Sequence, residues 1–311
     1  MFEVVAQMGV IILFGVVWRV LKPGGLDPQV LRKALTDTVY FLLLPALVLS
    51  ILWRTELSID SFRIVILAIV GVFAGFFVGK LICRWTNMPS ATAGAAILAA
   101  AFPNATYLGL PVLETTLGSW ASGVAIQYDL FACTPLLFSL GIMVAIKYGS
   151  GEGEGLSIAS IFKIPAVIAA IVAVMFNLNG IEQPQFVFNL LSTLDTGVVP
   201  LMLFSLGLSL QWRQGEWKRL PLIVPVVLIQ LVIMPAVVLA LNYFVGLDGQ
   251  LLTAVVIEAA MPSMVIGLVL CDRFKLDSSF YATAVTTSTA LSLISLPLWF
   301  SYLDGFEPVF F

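Results

Sequence analysis

Residues 91–118 are long and apolar enough to cross a lipid bilayer, yet through their centre runs Ala101-Phe102-Pro103-Asn104-Ala105-Thr106-Tyr107-Leu108-Gly109-Leu110-Pro111. Proline removes a backbone donor and blocks the bond to the preceding helical turn. In hydrocarbon a freed carbonyl finds no water, so such a break survives only where protein or a wet cavity supplies partners. A helix broken at this depth is therefore a candidate binding site. A second apolar stretch, 251–271, is interrupted in the same way at Pro262.

Composition sets the class. Of 311 residues 60% are hydrophobic and only 11% charged, with mean hydropathy +1.06. Soluble domains carry about 25% charged residues, so the chain reads as an all-α polytopic membrane protein. Apolar stretches at 2–21, 35–53, 62–83, 91–118, 121–146, 158–178, 187–210, 220–244, 251–271 and 279–302 give ten expected spans at roughly 20 residues per crossing. The first has Glu3 at its start and Arg19 and Lys22 at its end, the reverse of a signal peptide's polarity, and reads as a retained span.

Charge tests that count. Thirteen of the 15 Lys and Arg residues fall in the odd-numbered loops, leaving only Arg54 and Arg63 on the other side. Basic residues flank cytoplasmic ends, so the odd loops are expected in the cytoplasm and both termini outside. The location expected is the bacterial-type plasma (inner) membrane.

The run Gly149-Ser150-Gly151-Glu152-Gly153-Glu154-Gly155 divides the chain into five spans and five. Similar segments recur across it at spacings of 155 to 159: Pro45–Ser50 with Pro200–Ser205, Arg63 with Arg219, Ala100–Pro103 with Ala259–Pro262. An odd number of spans per copy inserts the second copy upside down, so the expected organisation is an inverted repeat. The first copy is 1–147, a cytoplasmic linker 148–156, and the second copy 157–311. Proline-interrupted segments at matching places in two repeats are the best sequence pointer to a transporter's mid-membrane site. New half-helices are expected to begin near Ala105 and Ser263. Their first N–H groups would carry the positive dipole ends and favour an anion.

Asn104, Thr106 and Ser263 offer amide and hydroxyl groups there, either to a ligand or only to cap their own half-helices. Tyr107 offers a ring to an apolar ligand or to packing. Acids inside apolar spans are costly and mark function by default. Glu258, one turn before Pro262, is a candidate proton carrier or a neutral acid bracing the break. Asp129, beside Gln127 and Tyr128, is a candidate for ion coupling or the substrate path. Asp195, in Ser192-Thr193-Leu194-Asp195-Thr196, is a candidate cation ligand or part of a buried network. Asp37 is expected near the start of its helix, Glu114 at the outer interface, and the seven tryptophans at span ends as an interface belt.

Three separated cysteines and no histidine give no metal motif, and neither a metal site nor a cofactor is expected. No Walker sequence couples ATP and no HExxH or GxSxG supplies a hydrolytic centre. An intramembrane enzyme using Asp129 and Asp195 is the rival outside transport, and no nucleic-acid partner is expected. The sequence leaves monomer against homodimer open.

The motif Pro103-Asn104-Ala105-Thr106-Tyr107-Leu108-Gly109-Leu110-Pro111, with Ala259-Ala260-Met261-Pro262-Ser263 as its partner, resembles the auxin efflux carrier family, whose bacterial members are often labelled malonate or malate permeases. The likeness covers essentially the whole chain, and the short hub at 148–156 is similar to that of bacterial members. It implies a crossover fold shared with bile-acid/sodium symporters, in which broken helices 4 and 9 cross. It also implies carriage of carboxylate-bearing anions by an elevator-like motion, with Asn104, Thr106, Pro103, Pro262 and Ser263 at the crossing. Plant carriers have a second asparagine before the proline; Phe102 stands there in this chain, which favours an organic acid other than auxin. Proton coupling, sodium coupling of the bile-acid type through Asp195, Thr196 and Glu258, and no coupling all stay open.

Overall fold

A computed structural model describes residues 2–55, 57–150, 162, 164–210 and 219–304. Most of the linker, the start of the sixth apolar stretch, and Trp212 and Trp217 lie outside them. Among the described residues the structure is helical, with no strand beyond one isolated bridge. The elements are α1 (Phe2–Leu21), α2 (Pro28–Leu52), α3 (Ile59–Trp85), α4 (Ser90–Ala101), α5 (Ala105–Gly109 continued by Leu110–Leu117), α6 (Ala121–Tyr148), α7 (Pro165–Leu178), α8 (Gln185–Ser209), α9 (Leu220–Val245), α10 (Gly249–Ala259), α11 (Gly267–Arg273) and α12 (Ser278–Asp304). Six of these, α2, α3, α6, α8, α9 and α12, are long and apolar enough to cross a membrane unaided. The expected fourth and ninth spans are each two short helices in line of sequence, α4–α5 and α10–α11.

Local chemistry sets several boundaries. Asp27 caps α2 by accepting from the Gln29 and Val30 N–H groups, with Pro28 at the first helical position, where a missing N–H costs nothing. The helix therefore starts seven residues before the expected 35. Asp37 sits well inside it, paired with Lys33 at 2.8 Å, rather than in its first turn. Ser58 and Ser61 cap α3 reciprocally.

Five single π-turns widen the helices, at Val39–Leu43, Ala105–Gly109, Asp129–Cys133, Leu137–Gly141 and Ile229–Ile233. Four of them are followed two residues later by a proline: Pro45, Pro111, Pro135 and Pro235. A proline ring collides with the carbonyl four residues back and leaves it without a donor; a wider preceding turn relieves the collision. For Pro235 that carbonyl belongs to Leu231, and the Trp299 indole N–H fills the vacancy at 2.8 Å. Trp299, expected as a belt residue, thus repairs a helix.

The helices pack in two sets. In one, α1 lies along the second half of α8, while α2 packs on α7 and α8. Here Gly15 and Gly207 bring two backbones into contact: a methyl on Gly207 would lie 2.0 Å from the Ile12 carbonyl oxygen. In the other set α3 packs on α4 and α9, α6 on α4, α5 and α10, and α12 on α4, α9, α10 and α11. Gly75 of α3 plays the same part there, its notional methyl 2.2 Å from the Ala100 carbonyl oxygen. At one end of this second set Asp277 accepts from the Phe280 N–H, the Thr92 hydroxyl and both-oxygen contacts of Arg219 at 3.0 and 3.1 Å. Partial burial pushes its carboxyl up, but these donors outweigh it and hold the group below its ordinary value.

Candidate functional site

Both breaks meet. Pro103 and Ser263 form an antiparallel bridge, in which the Asn104 N–H donates to the Pro262 carbonyl at 2.7 Å and the Met264 N–H to the Phe102 carbonyl at 3.0 Å. The register is offset by one residue from the sequence match: Pro103 faces Ser263, not Pro262. Such a bridge has its own local two-fold axis, relating Asn104 to Met264 and Phe102 to Pro262.

Every polar backbone group freed here needs a partner, and the surrounding helices supply them. The Ser263 hydroxyl donates to the Ala99 carbonyl at 2.6 Å, and the Ser263 N–H donates to the Ser288 hydroxyl at 3.2 Å. The Tyr281 hydroxyl donates to the Met264 carbonyl at 2.7 Å, in space that any side chain on Gly267 would occupy. The Gln230 amide donates to the Met261 carbonyl at 2.9 Å. Because Ser263 and Met264 are held extended by these bonds, α11 begins at Gly267, four residues later than expected. Serine 263 is wholly buried and acts as a brace between the breaks; Pro103 and Pro262 are buried beside it.

Asn104 differs. Its backbone accepts from the Leu108 and Gly109 N–H groups, but its side chain makes no capping bond, and its amide nitrogen is buried without a partner. Of the two roles left open for Asn104, contact with a ligand or capping of its own half-helix, the side chain does not make the capping bond. Thr106, the second residue of α5, donates its hydroxyl to Asp129, which also accepts from the Thr134 hydroxyl at 3.1 Å. The π-turn that starts at Asp129 follows Tyr128 and Gln127, both buried, with the Tyr128 hydroxyl and the Gln127 side-chain amide oxygen unpartnered. Glu258 is completely buried at the end of α10, and neither carboxyl oxygen has a partner. Buried polar atoms without partners are rare and ask for an explanation; five side chains around one crossing have them, counting Gln230.

Two cavities approach the crossing along the seam between the helix sets. The larger, about 890 Å³, reaches Gln127 and is lined by Arg54, Glu114, Phe188, Ser192 and Asp195 among others. The smaller, about 90 Å³, opens beside Tyr107 with Arg32, Thr36 and Ser205. Asp195 lies in the large cavity, which Glu258 does not line, while the Thr196 hydroxyl turns back to the Thr193 carbonyl of its own helix. Asp195, Thr196 and Glu258 are thus not brought together as one cage. Glu114, expected at the outer interface, is half-buried and lines the same cavity.

Gln230, Tyr281 and Ser288 did not stand out in the sequence. The signals were present: an amide between Pro225 and Pro235, and the hydroxyl run Thr286-Thr287-Ser288-Thr289 inside the last apolar stretch.

The sequence profile of the family described as membrane transport protein matches residues 1–164 and 155–300. An uncharacterized transporter of Methanothermobacter thermautotrophicus is 30% identical over 302 residues, 96% of either chain. The uncharacterized transporter YfdV of Escherichia coli K12 is 23% identical over 253 residues, 78% of this chain and 79% of its own. The probable auxin efflux carrier component 9 of Oryza sativa subsp. japonica is 26% identical over 144 residues, 44% of this chain and 34% of its own. These likenesses, on a chain of membrane-length apolar helices, define a membrane transporter and not an enzyme. The chain belongs to the membrane transport protein family, which is that of the auxin efflux carriers.

Proposed function

We propose that the protein is a secondary transporter of small carboxylate-bearing organic anions and binds them at the crossing of the two breaks. The observation that carries this reading is the unpartnered amide of Asn104 at a hydrogen-bonded junction of two broken helices. Next to it stand the first N–H groups of α5, which helix geometry leaves without acceptors and which favour negative charge. Thr106 and Tyr107 flank the ligand on α5; Pro103, Pro262 and Ser263 form the frame that holds the junction open.

In this reading ten spans make two inverted copies, 1–147 and 157–311, joined by 148–156, with both termini outside the plasma membrane. The set α1, α2, α7 and α8 is the scaffold, and the remaining helices carry the crossing past it in an elevator-like motion. The seam with cavities of about 890 and 90 Å³ at its two ends is the sliding surface, open on one side and nearly shut on the other. Glu258 and Asp129 are the coupling groups. The unpartnered carboxyl of Glu258 fits a proton carrier, and sodium coupling is the second reading that the same oxygens support. Asp195 serves the approach to the site rather than the crossing itself.

A panel of dicarboxylates, monocarboxylates and indole acids, tested for thermal stabilisation of the purified protein, checks the substrate class. Stabilisation by members of one carboxylate group is expected, and no response to any carboxylate would sink the reading. Uptake into proteoliposomes with sodium replaced by choline, with and without a pH gradient, separates the two couplings.

A further inference from the structure

Two basic residues escape the charge asymmetry of the loops, Arg54 and Arg63. Arg63 is neutralised by Asp60 at 2.9 Å. Arg54 has no ion pair among the described residues; its guanidinium lies 3.7 Å above the ring of Phe188 and lines the large cavity. Stacking on an aromatic face fixes the plane of an arginine while leaving its donor fork free, and that fork matches a carboxylate in a bidentate pair.

We infer that Arg54, held by Phe188, is a carboxylate-docking site in the large cavity, upstream of the crossing, and that it admits ligands with a single carboxylate. This rests on the carboxylate reading above and narrows it. The restriction comes from the same helix face: Phe188, Ser192 and Asp195 are spaced i, i+4, i+7 along α8 and all line the cavity. Seven residues of helix place Asp195 about 10 Å along the axis from Phe188. Glu114 lines the same cavity. A ligand docked on Arg54 extends toward two acids, so a hydrogen-bond donor at its far end is welcome and a second carboxylate is repelled. Asp60, the third acid among the described residues of the wall, is already paired with Arg63.

The test uses the full chain in detergent. Cys83, Cys133 and Cys271 are all buried, so a Ser192→Cys variant presents one accessible thiol in the cavity to a charged methanethiosulfonate reagent. Lactate and indole-3-acetate are expected to slow its modification, and malonate to do so far less. Adding Arg54→Gln should raise the concentration needed for half-protection by about tenfold or more, the loss of one charge-assisted pair. Arg54→Lys, which keeps the charge but not the fork, should fall between. Thermal stabilisation by the same acids is read in parallel on the unsubstituted protein. If the acids stabilise but protection is unchanged by Arg54→Gln in a protein of normal melting temperature, the docking site is wrong and the carboxylate reading stands. Equal protection by malonate removes the single-carboxylate restriction. If no acid stabilises or protects, both readings fall together.

Discussion

The carboxyl group of Glu258 rests on the bare α-carbon of Gly109. A methyl group at Gly109 would lie 2.3 Å from one carboxyl oxygen and 2.5 Å from the other, so a side chain there would have to displace the buried Glu258 carboxyl, while the backbone angles themselves are helical. The contact joins α5 to α10, the two sides of the crossing, at a point where neither carboxyl oxygen has a hydrogen-bond partner.

Gly109→Ala is therefore expected to destabilise the protein by about 1–3 kcal/mol through overpacking. Combining it with Glu258→Ala should recover most of that loss, because the collision is removed. Melting temperatures of the two single variants and the double variant in one detergent give the coupling. Additive losses would show that Gly109 matters for another reason.

Asn104→Ala separates capping from ligand contact. The side chain makes no cap bond and its amide nitrogen is buried unpaired, so its removal relieves a desolvated donor rather than breaking a bond. The melting temperature is expected to hold or rise slightly while stabilisation by carboxylates disappears. A loss near the ~1 kcal/mol typical of a helix cap, with ligand response intact, would reverse the assignment.

The braces should behave in the opposite way. Ser263→Ala orphans the Ala99 carbonyl, and Ser288→Ala orphans the Ser263 N–H; each is expected to cost about 1–3 kcal/mol. Sharing Ser263 makes them neighbours, so the double variant should cost less than the sum. Denaturation of the three variants decides it.

Glu258→Gln tests coupling. The amide keeps the shape of the side chain and cannot carry a proton, so uptake driven by a pH gradient is expected to be lost while binding of a carboxylate at fixed pH is retained. Gradient-driven uptake that persists would assign Glu258 to structure alone.

Asp277 gives a pH signature outside the membrane. Its carboxyl sits below the ordinary value of about 3.9 because Phe280, Thr92 and Arg219 donate to it. A group depressed in the folded state stabilises fully above its unfolded value and loses that contribution as pH falls toward the folded one. Asp277→Asn should lower the melting temperature by a constant amount from pH 7 to about 5, and the gap should narrow below about 4. A gap that widens in acid would contradict the sign.

Much of this was legible in the chain because the constraints were local. Pro103 and Pro262 interrupt apolar runs, and in hydrocarbon that allows few solutions, so two meeting breaks could be read from residues alone. The register between them could not. Facing Pro103 with Ser263 depends on Gln230, Tyr281 and Ser288, contributed by helices whose patterns say only that they are apolar. The helix restart at Gly267 was missed for the same reason, since the bonds that keep Ser263 and Met264 extended come from α12 and from Phe102. Asp195 and Glu258 are both acids in apolar stretches, and periodicity gave no means of telling that one faces a large cavity and the other is sealed. Trp299 shows the limit from the other side: composition placed it in a belt, and a proline 64 residues earlier gave its N–H a specific task.

The bridge at the crossing also has a consequence for biogenesis. Among the described residues the long-range donors to the Ala99 and Phe102 carbonyls are Ser263 and Met264, and the first of these bonds spans 164 residues. At synthesis rates of about 5–20 residues per second, the first break waits roughly 8–33 s in or beside the bilayer with its carbonyls unanswered. During that interval α4 and α5 cannot settle in lipid as they stand in the finished fold. They must be sheltered by water, an insertion channel or the neighbouring α3 and α6 until the far end of the chain arrives. A ribosome stalled between α9 and α10 should leave the first half protease-sensitive at Phe102–Thr106, and its release should close that site.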